Sequence, residues 1–287
     1  MGCALRATEP AVLLQQDPLG RPQPAGPRPH DVAGVRRLGA EAQGRLDRRP
    51  ERVPATRDRR LCAGWTFQNN AWGYGGSYSD KWYVTIDADP VVEALEWVHK
   101  GVQDDTWAGV AATKVADLSS GAVSSTGNLA GSLAGILKAA SFDVGVGFLP
   151  GGPAATKPVC PFGGAGLAIP KDITPEEQLA AASFLTFLTQ PDNAVTFSAA
   201  TGCIPTRTSA DVSALVATAP QIQTAIDQIA VVRTQDYARA LPPGGDKVIA
   251  DGFGRVLTKN EDANPVHAEV KAQLTDICTT DVTPHLL

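Results

Sequence analysis

Aromatic residues and lysine are missing from the first sixty positions of the chain. All seventeen aromatics lie from Trp65 onward, and the first lysine is Lys81. The same sixty residues hold twelve Arg, eight Pro and seven acids, a formal charge of +5, whereas the remainder carries −10. A stretch this rich in Pro and Arg, with no ring to bury, gains too little from apolar burial to offset chain entropy. Residues 1–63 are therefore expected to be disordered and to lie outside the folded unit, which covers 64–287. The interleaved acids and the lack of an aromatic platform argue against nucleic-acid binding. The one apolar run there, Ala11 to Leu14, is too short for a secretion signal, and neither Cys3 nor Cys62 follows the run that a lipoprotein cysteine needs. A GC-rich gene read from the wrong frame or start yields such a composition, which offers an origin for 1–63.

Other absences narrow the chemistry. No apolar run approaches the roughly eighteen residues needed to span a bilayer. There is no H-E-x-x-H, no G-x-S-x-G and no G-x-x-x-x-G-K-[ST], and Gly145-Val146-Gly147 lacks the third glycine of a dinucleotide fingerprint. The five cysteines (3, 62, 160, 203, 278) show no C-x-x-C and no metal spacing. One disulfide among Cys160, Cys203 and Cys278 and three unpaired core thiols both remain open. The four histidines (30, 99, 267, 285) are scattered, and solvated or core imidazoles are expected for His99 and His267. No cofactor, metal or catalytic site is expected; the chemistry left is binding.

From Trp65 to Trp82 the chain is dense in rings and glycine, which reads as irregular backbone carrying exposed or half-buried aromatics. Asp89-Pro90 opens a helix whose apolar face is Val91, Leu95, Val98 and Val102. A second helix is expected over about 107–118 and a third, opened by Thr126-Gly127, to about Ala140. Phe142 to Leu149 and Gly166 to Ile169 read as strands. Thr174-Pro175-Glu176-Glu177 is a capping box, and the helix it starts should run to about Thr189. Asp192 caps another that ends at Gly202, and four more follow Ser209. The pattern is α/β and helix-rich.

Three features suit a ligand. Ser125-Thr126-Gly127 at a strand end would place a hydroxyl and free N–H groups at a helix N-terminus, an anion site or an ordinary N-cap. Arg239 offers a guanidinium for bidentate contact to phosphate, or an ion pair with Asp236 or another acid. Trp65, Trp72 and Tyr74 could stack on a polyol or a quaternary ammonium group, or pack in a glycine-rich lobe.

Two runs carry a resemblance. Gly163-Gly164-Ala165-Gly166-Leu167-Ala168-Ile169-Pro170, followed by the 174–189 helix and by Thr201-Gly202-Cys203-Ile204-Pro205-Thr206-Arg207, resembles the signature of extracellular solute-binding proteins of ABC importers for sugars and polyols. Trp65-Thr66-Phe67-Gln68, Gly75 to Trp82, Ser125 to Gly127, Arg233 to Arg239 and Pro243 to Asp246 are similar to actinobacterial members for glycerol 3-phosphate or glycerophosphocholine. The resemblance implies an incomplete type II periplasmic-binding-protein-like fold: the second lobe plus the part of the chain, about 145–200, that returns to the first. It implies a non-enzymatic protein that holds a phosphodiester, or alternatively a neutral sugar, in an interlobe cleft and hands it to a membrane permease.

The resemblance also assigns roles. Trp65 becomes a stacking wall, Ser125 and the Gly164 backbone hold the glycerol phosphate, and Arg239 contacts the phosphodiester. Cys203 stands where the family has tyrosine. Family members are extracellular or lipid-anchored; without a recognisable signal this chain would stay in the cytoplasm. With most of a first lobe unmatched in 1–63, weak or absent binding is expected, and a non-functional fragment is the competing expectation.

Overall fold

The computed structural model describes residues 3–7, 10–15, 55–58, 63–104, 108–111, 114–123, 125–155 and 157–285. Three strands come from the segment expected to be disordered: β1 (Cys3–Ala7), β2 (Pro10–Gln15) and β3 (Ala55–Asp58). The run Ala11 to Leu14, too short for a signal, is the length of a strand, and neighbours far along the chain supply the pairing that composition cannot foretell.

Helix α1 (Ala63–Gly73) replaces the irregular backbone expected after Trp65. The hairpin β4 (Ser79–Asp80) and β5 (Tyr83–Val84) leads to α2 (Asp89–Gln103), which starts where expected with Pro90 in its first turn. The helix expected over 107–118 is instead β6 (Ala108–Ala111) and the short α3 (Lys114–Ser119). Likewise Ser125-Thr126-Gly127 does not open a helix. It lies within β7 (Ser125–Leu129), and α4 (Leu133–Ala139) follows a single 3-10 turn.

β8 (Val144–Gly147), β9 (Cys160–Pro161) and β10 (Gly164–Leu167) follow. The central sheet has the order β6-β3-β7-β2-β8. β3 runs parallel to β6 and β7, and β2 runs antiparallel to β7 and β8, with Val12 opposite both Gly127 and Gly147. β10 pairs antiparallel with β1, from Cys3 opposite Leu167 to Ala7 opposite Gly164.

The C-terminal part is helical. In α5 (Pro175–Leu188) the capping box is complete: Glu177 N–H donates to Thr174 Oγ1 at 3.2 Å and Thr174 N–H to Glu177 Oε2 at 2.9 Å. α6 (Pro191–Thr201) ends on Gly202, whose φ of 82° needs a residue without a Cβ. α7 (Ser213–Thr218), α8 (Gln221–Gln228), the strand β11 (Val232–Arg233, parallel to β9) and α9 (Tyr237–Ala240) precede the long pair α10 (Gly245–Lys259) and α11 (Ala263–Ile277).

The main core lies where α1, α2, α10 and α11 meet. Phe67, Val91, Leu95, Val98, Phe253, Val256, Val266 and Leu274 are all buried in it. Each such aliphatic or aromatic side chain contributes on the order of 1.5–3 kcal/mol by leaving water. The face of α2 built by spacing alone is thus the face that docks. A smaller cluster of Leu118, Ile136, Val144, Leu215 and Ile222 seats α4 and α8 beside β8.

Helix α5 contrasts with both. None of its residues is buried, and Leu179 (69 % exposed), Phe184 and Phe187 point to solvent, with Phe197 of α6 beside them in exposure. Only the side carrying Ala181, Ala182, Leu185 and Leu188 is half-buried, and an apolar helix with so little cover is unusual, since such sequences ordinarily lie within a core.

Candidate ligand-binding site

Helix α1 organises the region that holds most of the sequence-selected residues. Trp65, Asn69 and Trp72 fall at i, i+4 and i+7, one face of a helix, and all three are buried. Each donates to a different segment. Trp65 Nε1 donates to the Phe162 carbonyl at 3.3 Å. Asn69 Nδ2 donates to the carbonyls of Pro150 and Val159, both at 2.7 Å. Trp72 Nε1 donates to the Asp236 carboxylate at 3.1 Å. The ring of Trp65 is 4 % exposed, so the open face that a stacking wall requires is absent in this conformation; the residue acts here through its N–H.

The Phe162 carbonyl joins Trp65 to Arg239. It accepts a second bond, from Gln235 Nε2 at 2.6 Å, and Gln235 Oε1 in turn accepts from Arg239 Nη1. Arg239 Nε donates to Asp246 Oδ1 at 2.9 Å, so the ion-pair alternative for this arginine is realised, with Asp246 as partner. Asp246 lies in the first turn of α10, where a carboxylate is favoured by the helix dipole. It also abuts the start of α1: a Cβ on Gly64 would sit 2.8 Å from Asp246 Oδ1, which explains the glycine.

Asp236 anchors the segment between β11 and α9. It is buried, and its carboxylate accepts from the Trp72 indole and from Tyr78 N–H at 2.8 Å, while its own N–H donates to Gln68 Oε1 at 2.9 Å. Burial raises its pKa above the ordinary carboxylate value, opposed by the bonds from Tyr78 and Trp72 and by the Arg233 charge. Arg233 stacks on Trp72, its guanidinium carbon 4.4 Å from the ring centroid. Tyr78 is fully buried and donates to the Gly64 carbonyl at 2.8 Å; burial raises its pKa.

The remaining selected residues lie at graded distance. Gly164, exposed, is two positions past Phe162 at the edge of β10. Ser125 shares a face of β7 with Gly127, where a Cβ would meet Thr66 of α1 at 3.7 Å. Cys203 stands apart, buried behind the end of α6, where neighbouring Gly202 packs on Ala130 and Ala134. Cys160, Cys203 and Cys278 are buried and no disulfide joins any two of them, so the pairing alternative is not realised. His267 is a core imidazole, with Nδ1 2.6 Å from the Ala263 carbonyl. Among the described residues no cluster of His, Cys, Asp or Glu could hold a metal, and no helix is long and apolar enough to cross a membrane.

This arrangement converges donors and acceptors on a partly open arginine and contains no nucleophile paired with a base. Comparison with known proteins decides the family. The profile of the bacterial extracellular solute-binding proteins matches residues 28–224. The chain belongs to that family. The match reaches back well before Gly64, so part of the segment set apart by composition lies within the binding-protein span.

Solved binding proteins give the same fold. UgpB from Mycobacterium tuberculosis, crystallised with glycerophosphocholine, is 32 % identical over 97 % of this chain and 71 % of its own, with a TM-score of 0.85. The maltose-bound MalE3 of T. maritima (18 % identity, 96 % of this chain and 72 % of its own, TM-score 0.79) is alike in fold alone. So is the GacH receptor of Streptomyces glaucescens, studied with acarbose (17 %, 97 % and 71 %, TM-score 0.78). No curated protein matches in sequence. The solute-binding-protein fold that the resemblance implied is thus established, with this chain spanning about 71 % of the length of UgpB, and the family's members bind solutes without turning them over.

Sequence reasoning selected Trp65 and Arg239 but missed what connects them. Gln235 lay inside the Arg233 to Arg239 run and could have been singled out as the polar side chain four positions before Arg239. The Phe162 carbonyl carried no signal, because any residue supplies one.

Proposed function

We propose that this chain is the substrate-binding component of an ABC importer and that its ligand is a glycerophosphodiester or glycerol 3-phosphate. The observation that carries the reading is Arg239: one of four arginines beyond residue 61, half-buried, its Nη2 without an acceptor among the described residues, and bonded to Gln235, which in turn bonds the Phe162 carbonyl two positions before the exposed Gly164. The likeness to a glycerophosphocholine-bound protein supports it. In this reading Arg239 takes the phosphate, the Gly164 backbone and Ser125 take the glycerol portion, and Trp65 holds the Phe162 loop in place. The ligand is captured by closure of two lobes and passed to a membrane permease.

A neutral sugar is the second reading, favoured by one observation: Arg233 and Arg239 are each matched by an aspartate, so the cluster carries no net charge. Calorimetry separates the two. Glycerophosphocholine should bind and maltose should not, and Arg239→Ala should lose about ten- to a hundredfold in affinity, the worth of a charge-assisted bond. An Arg239→Ala variant with wild-type affinity, or a preference for maltose, overturns the phosphodiester reading.

A further inference from the structure

We infer that Gln235 is a latch: its carboxamide occupies the anion-binding end of Arg239 and must leave for a phosphate to enter. The inference rests on the phosphodiester reading and goes beyond it. A guanidinium presents its nitrogens in a rigid fork, and bidentate contact to phosphate uses two adjacent N–H groups. Asp246 holds Nε at 2.9 Å, so the end available to a ligand is Nη1 and Nη2, and Nη1 is the nitrogen that Gln235 Oε1 covers.

The other half of the carboxamide is spent as well. Its Nε2 donates at 2.6 Å to the Phe162 carbonyl, which Trp65 Nε1 already engages at 3.3 Å. Gln235 is thus a single side chain with an acceptor on the arginine and a donor on the loop that leads into Gly164. A phosphodiester offers only acceptors where it meets Arg239, so it replaces Oε1 and leaves Nε2 to turn away or to donate to the ligand. Departure of Gln235 leaves the indole of Trp65 as the remaining side-chain donor on Phe162, which couples occupancy of the arginine to the environment of one tryptophan. The backbone on either side stays fixed: Asp236 is held by Trp72 and Tyr78, and Phe162 N–H donates to the Arg233 carbonyl at 2.8 Å. Only the side chain needs to move.

The test is calorimetry on the full chain with glycerophosphocholine and with maltose, for wild type, Gln235→Ala and Gln235→Glu. Removing the competitor should tighten glycerophosphocholine binding about tenfold in Gln235→Ala, and a fixed carboxylate beside Arg239 should weaken it at least tenfold in Gln235→Glu. Glycerophosphocholine should also shift the emission difference between wild type and Trp65→Phe, and Gln235→Ala should show that shift before ligand is added. Binding by wild type that is unchanged or weaker in Gln235→Ala overturns the latch and leaves the phosphodiester reading standing. Binding of maltose alone, equal in all three proteins, overturns the phosphodiester reading and the latch with it.

Discussion

Replacing Asp236 by alanine should cost about 3–5 kcal/mol of stability, and the figure follows from what the carboxylate serves. It accepts from the Trp72 indole at 3.1 Å and from Tyr78 N–H at 2.8 Å, both buried. Truncation orphans two donors at about 1–3 kcal/mol each. The ion pair with Arg233, at 3.6 Å and with the arginine half exposed, adds little. Opposing these is the burial of the carboxylate itself, which raises its pKa and is relieved in the variant. Asp236→Asn keeps an acceptor and should cost about 1–2 kcal/mol on the same reasoning. The sign with pH follows from the raised pKa. The folded protein holds a proton on Asp236 more tightly than the unfolded chain does, so wild type gains stability relative to Asp236→Asn as pH falls from neutrality through the folded pKa. Urea denaturation followed by tryptophan emission measures all of this. A double-mutant cycle with Trp72→Phe should show coupling of at least about 1 kcal/mol. Additive costs, or an Asp236→Ala variant within about 1 kcal/mol of wild type, would refute the account.

Two further outcomes follow from features away from the cluster. Burial lowers the pKa of His267, with the bond to the Ala263 carbonyl opposing. The unfolded chain therefore takes up a proton that the folded protein refuses, and stability should fall as pH drops below about 6.5; a His267→Gln variant that keeps the full slope contradicts this. The uncovered face of α5 should bind anilinonaphthalene sulfonate and drive concentration-dependent association in sedimentation velocity. Leu179→Ser/Phe184→Ser/Phe187→Ser should reduce both, and unchanged dye binding would show that the face is covered in solution.

Local chemistry was legible in the sequence and long-range pairing was not. The capping box at Thr174 and the glycine stop at Gly202 formed as read, because each is decided within one turn of helix. The face of α2 was readable for the same reason: periodicity is local. Ser125 to Leu129 misled because Gly127-Asn128 lacks the propensity of a strand, and its pairing comes from β2, more than a hundred residues earlier. The strands of the first sixty residues were hidden by the Arg- and Pro-rich composition that surrounds them. Helix α1 was missed because its glycines and asparagines are poor helix formers, and its side chains are anchored by four distant acceptors. At the site, the identity of Trp65 and Arg239 could be read. Their connection through a backbone carbonyl and a glutamine could not.

The reach of α1 has a consequence for synthesis. Its indole at Trp72 finds its acceptor at Asp236, 164 residues later in the chain. At about 5–20 residues per second, the helix waits roughly 8–30 s for that partner to emerge from the ribosome. Throughout that interval Trp72 lacks Asp236 and Phe67 lacks Phe253, the ring that packs on it from α10. This makes the newborn N-terminal half the moment of greatest need for a chaperone.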